Sequence, residues 1–273
     1  MNKHTSAIIN ILRKTYPKAK IVLNYENNWE LLVSVILSAQ CTDKKVNEVT
    51  TKLFKKYPAL DDYVNANPTE FEQDIRQTGF YRNKSKNILA AAKLVKQKFG
   101  GKLPRTMAEM LTIPGVARKT ANVVLGNAYG IVEGIAVDTH VLRLSQRLRL
   151  VNPGQAGPGK KPLVIPAHHV IPVILRQAQA FGSEAQARRD GEHRRTKAGI
   201  YLNRFRIKSG MTLDYYKDAS PEKVELELMK IIPQEDWFTL TYLLIDHGRA
   251  LCKAQNPDCP HCPLQKLCPS SRI

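Results

Sequence analysis

The sequence predicts an all-α protein. Three observations carry this reading: apolar patterns of helical period recur along the chain, Pro, Gly, Asn or Asp punctuates them, and no alternation of period two runs long enough for a sheet. "MNKHTSAIINILRKTYPKAK" sets Ile8, Ile9, Ile11 and Leu12 at helical spacing. "NNWELLVSVILSAQCTD" follows, and its run "ELLVSVIL" predicts a buried helix, with Cys41 serving as a small buried hydrophobe in it. Shorter helices are expected from "KKVNEVTTKLFKKYP", "NPTEFEQDIRQTG", "RNKSKNILAAAKLVKQKFGG", "TMAEMLTIPG" and "RKTANVVLGNAYG". Beyond "AVDTHVLRLSQRL", which holds another amphipathic helix, "SPEKVELELMKIIP" opens with Ser220 as N-cap, Pro221 at the first helical position and Glu222 in the first turn.

One stretch breaks the pattern. From about 154 to 216 the chain mixes Gly, Pro and clustered Arg without a sustained period. Its removal would join "RLRLVNP" to "KDASPEKVE", an ordinary short loop feeding a capped helix. The segment therefore reads as an insertion, expected to be a poorly ordered surface one, because loops tolerate length at small entropic cost.

Composition narrows the partners. Lys+Arg number 42 against 24 Asp+Glu, a formal charge of +18, which draws polyanions and nucleic acid above all. No apolar run reaches bilayer length and no export signal is visible, so a cytoplasmic protein without a membrane role is expected. Five cysteines occur, four of them in the last 22 residues, and in a reducing compartment such a cluster points to a metal site before disulfides.

Three motifs carry chemistry. In "LTIPGVARKTANVVL" a tight turn at Gly115 joins two helices, one ending near Leu111 and the other starting near Ala117. Amide groups of the turn and of the new helix N-terminus offer a site for a phosphate oxygen. Lys119 lies in the first turn of that helix among Ala121, Val123 and Val124. The macrodipole and partial burial would both favour its neutral form, a nucleophile able to form a Schiff base; a solvated lysine on DNA phosphate is the other reading. Asp138, Thr139 and His140 close an apolar approach from Ile135 to Val137. Asp138 suits a helix N-cap, or a carboxylate that takes up protons and stabilises positive charge on a sugar ring. Last, Cys252, Cys259, Cys262 and Cys268 are spaced C-x6-C-x2-C-x5-C. Four thiolates suit zinc or an iron–sulfur cluster, and with only one tight pair the spacing leans toward the cluster. His261, between two ligands, is read as a surface or supporting residue.

Together these residues resemble the endonuclease III family of DNA glycosylases with abasic-site lyase activity, within the helix-hairpin-helix glycosylase superfamily. The likeness runs from "ILSAQCTDKKVN" (36–47) through "TGFYRNKSKNI", "LTIPGVARKTANVVLGNAYG" and "AVDTHVLRLSQRL", and resumes at "SPEKVELELMKIIP" and "HGRALCKAQNPDCPHCPLQKLCP". It implies a two-lobed all-α fold, with a helical lobe at 22–132 and a cluster lobe made of 1–21 plus 133–273. It implies Lys119 as the Schiff-base nucleophile, Asp138 as the catalytic carboxylate, and the four cysteines as ligands of one structural [4Fe-4S] cluster. Gln40 and Phe80 are implied to fill or wedge the duplex when the damaged nucleotide flips out, with Gly115, Ala117 and His140 as further DNA contacts. The expected protein is a monomer, associated with the nucleoid in the cytoplasm, that removes oxidised pyrimidines from double-stranded DNA and cleaves abasic sites. The alternatives are a mismatch-specific monofunctional glycosylase of the same fold, which Lys119 disfavours, and a non-catalytic DNA-binding module with structural zinc.

Overall fold

The computed structural model describes residues 2–152 and 219–272, and among them no strand occurs. The insertion expected at about 154–216 lies outside the described residues. Among the described residues nine helices precede it in chain order: α1 (Lys3–Thr15), α2 (Asn28–Leu37), α3 (Asp43–Lys56), α4 (Leu60–Asn65), α5 (Pro68–Asp74), α6 (Tyr81–Lys98), α7 (Met107–Met110), α8 (Arg118–Tyr129) and α9 (Thr139–Arg147). A single 3-10 turn, Arg76–Thr78, stands between α5 and α6; α10 (Pro221–Ile231) and α11 (Gln234–Ala250) follow the gap.

Local chemistry sets most helix starts. Asn2, Asn27, Thr42, Asn67, Thr106 and Ser220 each accept a first-turn backbone N–H on the side chain. Pro68 and Pro221 occupy first helical positions, where no N–H is missed. Cys41 lies in the bend after α2 rather than in the helix, because α2 stops at Leu37 and the chain reverses at Gln40 with φ +53. It still packs, half-buried, against the core.

The apolar residues form two clusters. The first is built between Leu23 and Leu125, with Leu31, Leu32, Leu37, Tyr63, Phe71 and Ile88 inside it. The second joins Ile8, Ile9 and Leu12 of α1 to Ile135, Leu144, Leu228, Leu243 and Leu264. Each fully buried side chain of this size contributes about 1.5–3 kcal/mol. Polar links cross between the clusters: Asn127 Nδ2 donates to Tyr242 Oη at 2.7 Å, and Gln234 Nε2 to the Val132 carbonyl at 3.0 Å. Arg249 pairs with Asp43, joining α11 to α3.

Candidate functional site

The hairpin comes first, because backbone geometry alone determines it. Between α7 and α8, Ile113 and Val116 are buried anchors, and the Val116 N–H closes the turn on the Ile113 carbonyl at 3.1 Å. Gly115 takes φ +80, and a Cβ there would sit 2.9 Å from the Asn87 Cβ of α6, so the position needs glycine on two counts. Ala117 is extended, at φ −94 and ψ 171, which any residue adopts. No side chain caps α8, and among the described residues neither the Gly115 nor the Ala117 N–H has an acceptor. The exposed turn thus presents open donors at the positive end of a helix.

Lys119 is exposed, not partly buried as the sequence led us to expect. The core-facing positions of α8 are Ala121, Asn122, Val124 and Leu125, and Lys119 falls on the opposite side. There it lines a cleft of about 620 Å³, including its open mouth, between Ile21, Val22 and Val35 of one cluster's surroundings and Ala136, Thr241 and Tyr242 of the other's. Val22, Asp43 and Arg249 continue that cleft into a second cavity lined by Cys41, Asn47 and His140.

Asp138 is the N-cap of α9: its Oδ1 accepts from the His140 N–H at 2.9 Å and the Val141 N–H at 2.8 Å. No hydrogen bond among the described residues occupies Oδ2. His140 is half-buried, and burial first, then the charges of Arg143, Arg249 and Lys119, holds its imidazole below the ordinary range, with Asp138 acting in the other direction. Lys119, Asp138 and His140 therefore share one electrostatic neighbourhood. The close fit of α11 against it depends on Gly248, where a Cβ would meet His140 Nδ1 at 2.7 Å and Arg143 Nη2 at 3.0 Å.

Gln40 and Phe80 do not line this cleft. Both are exposed tips in the left-handed region, Phe80 at φ +48 and 69% exposed. Residues that sequence reasoning missed surround the site. Arg118 Nε donates to the buried Glu225 Oε2 at 2.8 Å, and Asn122 Nδ2 to its Oε1 at 2.9 Å, so α10 holds the start of α8. Arg143 donates to the Gly248 and Cys252 carbonyls. A charged residue in the buried register of a helix was the available signal for both Arg143 and Glu225.

The four cysteines line one cavity of about 400 Å³ with Arg147 and His247. Burial, with the neighbouring thiols adding, pushes the Cys268 thiol up to about 11 and the Cys262 thiol up as well, so four thiolates gather here only with positive charge beside them. Arg147 Nη1 donates to Cys252 Sγ at 3.4 Å, and His247 Nε2 lies 3.6 Å from Cys262 Sγ. Among the described residues no three His, Cys, Asp or Glu side chains are close enough to share a single ion. The thiols stand apart around open space. His261 is exposed and pairs with Asp258 at 2.8 Å.

A family model described as HhH-GPD superfamily base excision DNA repair protein matches residues 33–161. Endonuclease III of Synechocystis sp. is 38% identical over 270 residues, 99% of this chain and 94% of that protein. The chain belongs to the endonuclease III family. Endonuclease III of Bacillus subtilis is 37% identical, covering 93% of this chain and 86% of its own length. Two solved endonuclease III structures, a non-covalent DNA complex and a trapped covalent DNA intermediate, superpose with a TM-score of 0.71 at 35% identity, covering 100% of this chain and 98% of each of theirs. Among the described residues no helix is long and apolar enough to cross a membrane.

Proposed function

We propose that this protein is a base-excision-repair DNA glycosylase and abasic-site lyase that works through a Schiff base on Lys119. The observation that carries the reading is the placement of Lys119: one residue into an uncapped helix, beside a hairpin with open N–H groups, on a cleft walled from both sides. Family membership and the covalent endonuclease III–DNA structure support the same chemistry.

In this mechanism the hairpin donors hold a phosphate while the nucleotide leaves the stack, since the sugar carbon is unreachable inside the duplex. The Lys119 amine attacks C1′, the bond to the base breaks, and the base departs with the electron pair and takes up a proton from solvent; the C1′–O4′ bond then opens, its electrons going to O4′, which receives the proton that Asp138 relays from the amine, as the nitrogen lone pair completes the imine bond. Asp138, with Oδ2 available, takes up the amine's proton and stabilises the positive iminium. Loss of a proton from C2′ then expels the 3′ phosphate by β-elimination. Gln40 and Phe80 fill the space vacated in the duplex, and His140 contacts DNA at the cleft. Oxidised pyrimidines are the proposed lesions, double-stranded DNA the partner and a monomer the working unit, in the cytoplasm beside the nucleoid. The separate apolar clusters support a division into two lobes, 22–132 and 1–21 plus 133–273.

Cys252, Cys259, Cys262 and Cys268 would hold a [4Fe-4S] cluster. Four thiols that line one cavity, with no three of them close enough among the described residues to share a single ion, suit a polynuclear core better than a lone zinc ion. Its contribution is structural: it would bind the chain after α11 to α9 through the Arg147 contacts.

Borohydride trapping tests the reading. Wild-type protein on a duplex with one abasic site should give a covalent adduct, and Lys119→Ala should give none while still binding duplex. An adduct that survives in Lys119→Ala would remove Lys119 from the reaction.

A further inference from the structure

Helix α2 ends at Leu37, and while Ser38 and Ala39 take the Ser34, Val35 and Ile36 carbonyls, the Leu37 carbonyl receives no backbone N–H among the described residues. Lys84, on α6 and only 5% exposed, reaches across: its Nζ donates to the Leu37 carbonyl at 2.8 Å and to the Thr78 carbonyl at 2.8 Å. The backbone N–H of the same residue donates to the Phe80 carbonyl at 3.1 Å. One residue therefore binds the chain three positions before Gln40, two before Phe80, and at Phe80 itself. Gln40 and Phe80 both hold positive φ, a conformation that side chains rarely adopt and that persists only where the surroundings enforce it. The other hydrogen bond between these segments, Lys45 to Gln77, is exposed.

Among the described residues Lys84 has no carboxylate partner, so the fold buries an ammonium against two neutral carbonyls, with the Cys41 thiol the ionisable group beside it. Burial of an unpaired charge is unfavourable, and packing would be served as well by Met. What the ammonium adds is a compact donor that ties two turns together. We propose that Lys84 is a positioning residue that locks the Gln40 and Phe80 turns to one another, so that both tips enter the duplex at a fixed separation. This rests on the reading of Gln40 and Phe80 as the residues that fill the duplex. Loosened turns would have to be ordered at the moment of insertion, which weakens the flipped complex without touching the amine that reacts.

The test compares single-turnover nicking of one abasic strand, alone and as a duplex, by the full-length protein. A single strand has no partner base to displace. Lys84→Met should lose about tenfold or more on the duplex, the scale of a lost charge-assisted hydrogen bond, and stay within about twofold on the single strand, where flipping is not needed. Phe80→Ala should show the same selectivity, and Lys84→Met/Phe80→Ala should fall no further than Phe80→Ala, as expected of residues acting as one unit. A 2-aminopurine opposite the abasic site should brighten on binding the wild type and brighten less with Lys84→Met. Equal losses on both substrates would reveal a merely structural lysine and overturn the inference, as would no loss, or losses that add to those of Phe80→Ala. A wild type that nicks neither substrate sinks the catalytic reading before any variant is compared, and a Phe80→Ala without duplex selectivity sinks the wedge reading; each takes the inference with it. Should Lys84→Met fail to fold, Lys84→Gln keeps one donor and should show the same selectivity at smaller amplitude; a uniform loss there overturns the inference.

Discussion

Gly115→Ala isolates what the hairpin demands of its sequence. The native φ of +80 places an alanine in the left-handed region, which costs about 1–2 kcal/mol for a residue with a Cβ. The new methyl would also lie 2.9 Å from Asn87 Cβ, 3.2 Å from Nδ2 and 3.3 Å from Cγ, a contact with the body of α6 that cannot be relieved by turning the end of a side chain. Overpacking of this kind costs about 1–3 kcal/mol. The sum, after partial relaxation, is about 2–4 kcal/mol, or a urea midpoint lowered by about 1–2 M at an ordinary slope of about 2 kcal/mol/M. The two contributions separate in an Asn87→Gly background, where these three contacts are gone and Gly115→Ala should cost chiefly the backbone part, about 1–2 kcal/mol. A midpoint unchanged within error, or the same loss in both backgrounds, would refute the argument. Duplex affinity should fall in step, because the open N–H groups of the turn would be displaced.

Glu225→Ala removes the acceptor of both Arg118 and Asn122. Asn122 is buried but the Arg118 side chain is 39% exposed, so the loss should be about 2–3 kcal/mol by urea unfolding, below the range for a fully buried pair; less than about 1 kcal/mol would show that the link is replaceable. His140, held below its ordinary 6.5 by burial and by Arg143, Arg249 and Lys119 against the pull of Asp138, contributes stability that is fully present above pH 6.5. That contribution falls as the pH drops below 6.5, because the unfolded imidazole takes a proton that the folded one resists. His140→Gln should therefore lose less stability than the wild type between about pH 7.5 and 5, and identical losses would exclude His140 as the source. Leu150 and Val151 before the insertion and Ala219 after it are buried in the same apolar cluster. Deleting 154–216 should accordingly leave a soluble protein that still forms the trapped adduct, with a melting temperature within about 5 °C; an insoluble or inactive product would show the segment to be integral.

The all-α class, most helix boundaries and the hairpin turn were legible because each rests on a local rule. Ser220 with Pro221, Asn67 with Pro68, and the glycine of the hairpin announce their roles within a few residues of sequence. The burial of Lys119 was misread because apolar neighbours in sequence were taken as neighbours in space: Val123 and Lys119 lie along the cleft side of α8, while Ala121, Val124 and Leu125 face inward. Cys41 was placed in a helix because nothing local marks the end of α2. There the Leu37 carbonyl is taken by Lys84, 47 positions away, a partner that only packing brings near. Glu225, Arg249 and Asp43 stayed invisible for the same reason, since each acquires its partner only when distant elements pack.

Exposure changes the account of how Lys119 becomes reactive. Burial does not prepare the amine, so its availability has to come from what its neighbours do. Arg118, next in sequence, is committed to Glu225; Arg249, on the same cleft, is committed to Asp43; Arg143 is tied to carbonyls and to His140. Among the described residues Lys119 has neither an ion-pair nor a hydrogen-bond partner. The carboxylate on the same cleft that could have captured it, Asp43, already holds Arg249, and Asp138 spends one oxygen on the α9 cap while keeping the other open. A lysine locked in a salt bridge would have to break it before attacking a sugar. In this arrangement guanidinium groups, which bind carboxylates in a fixed geometry and cannot act as nucleophiles at neutral pH, absorb the fixed negative charge and leave the one amine beside the hairpin uncommitted.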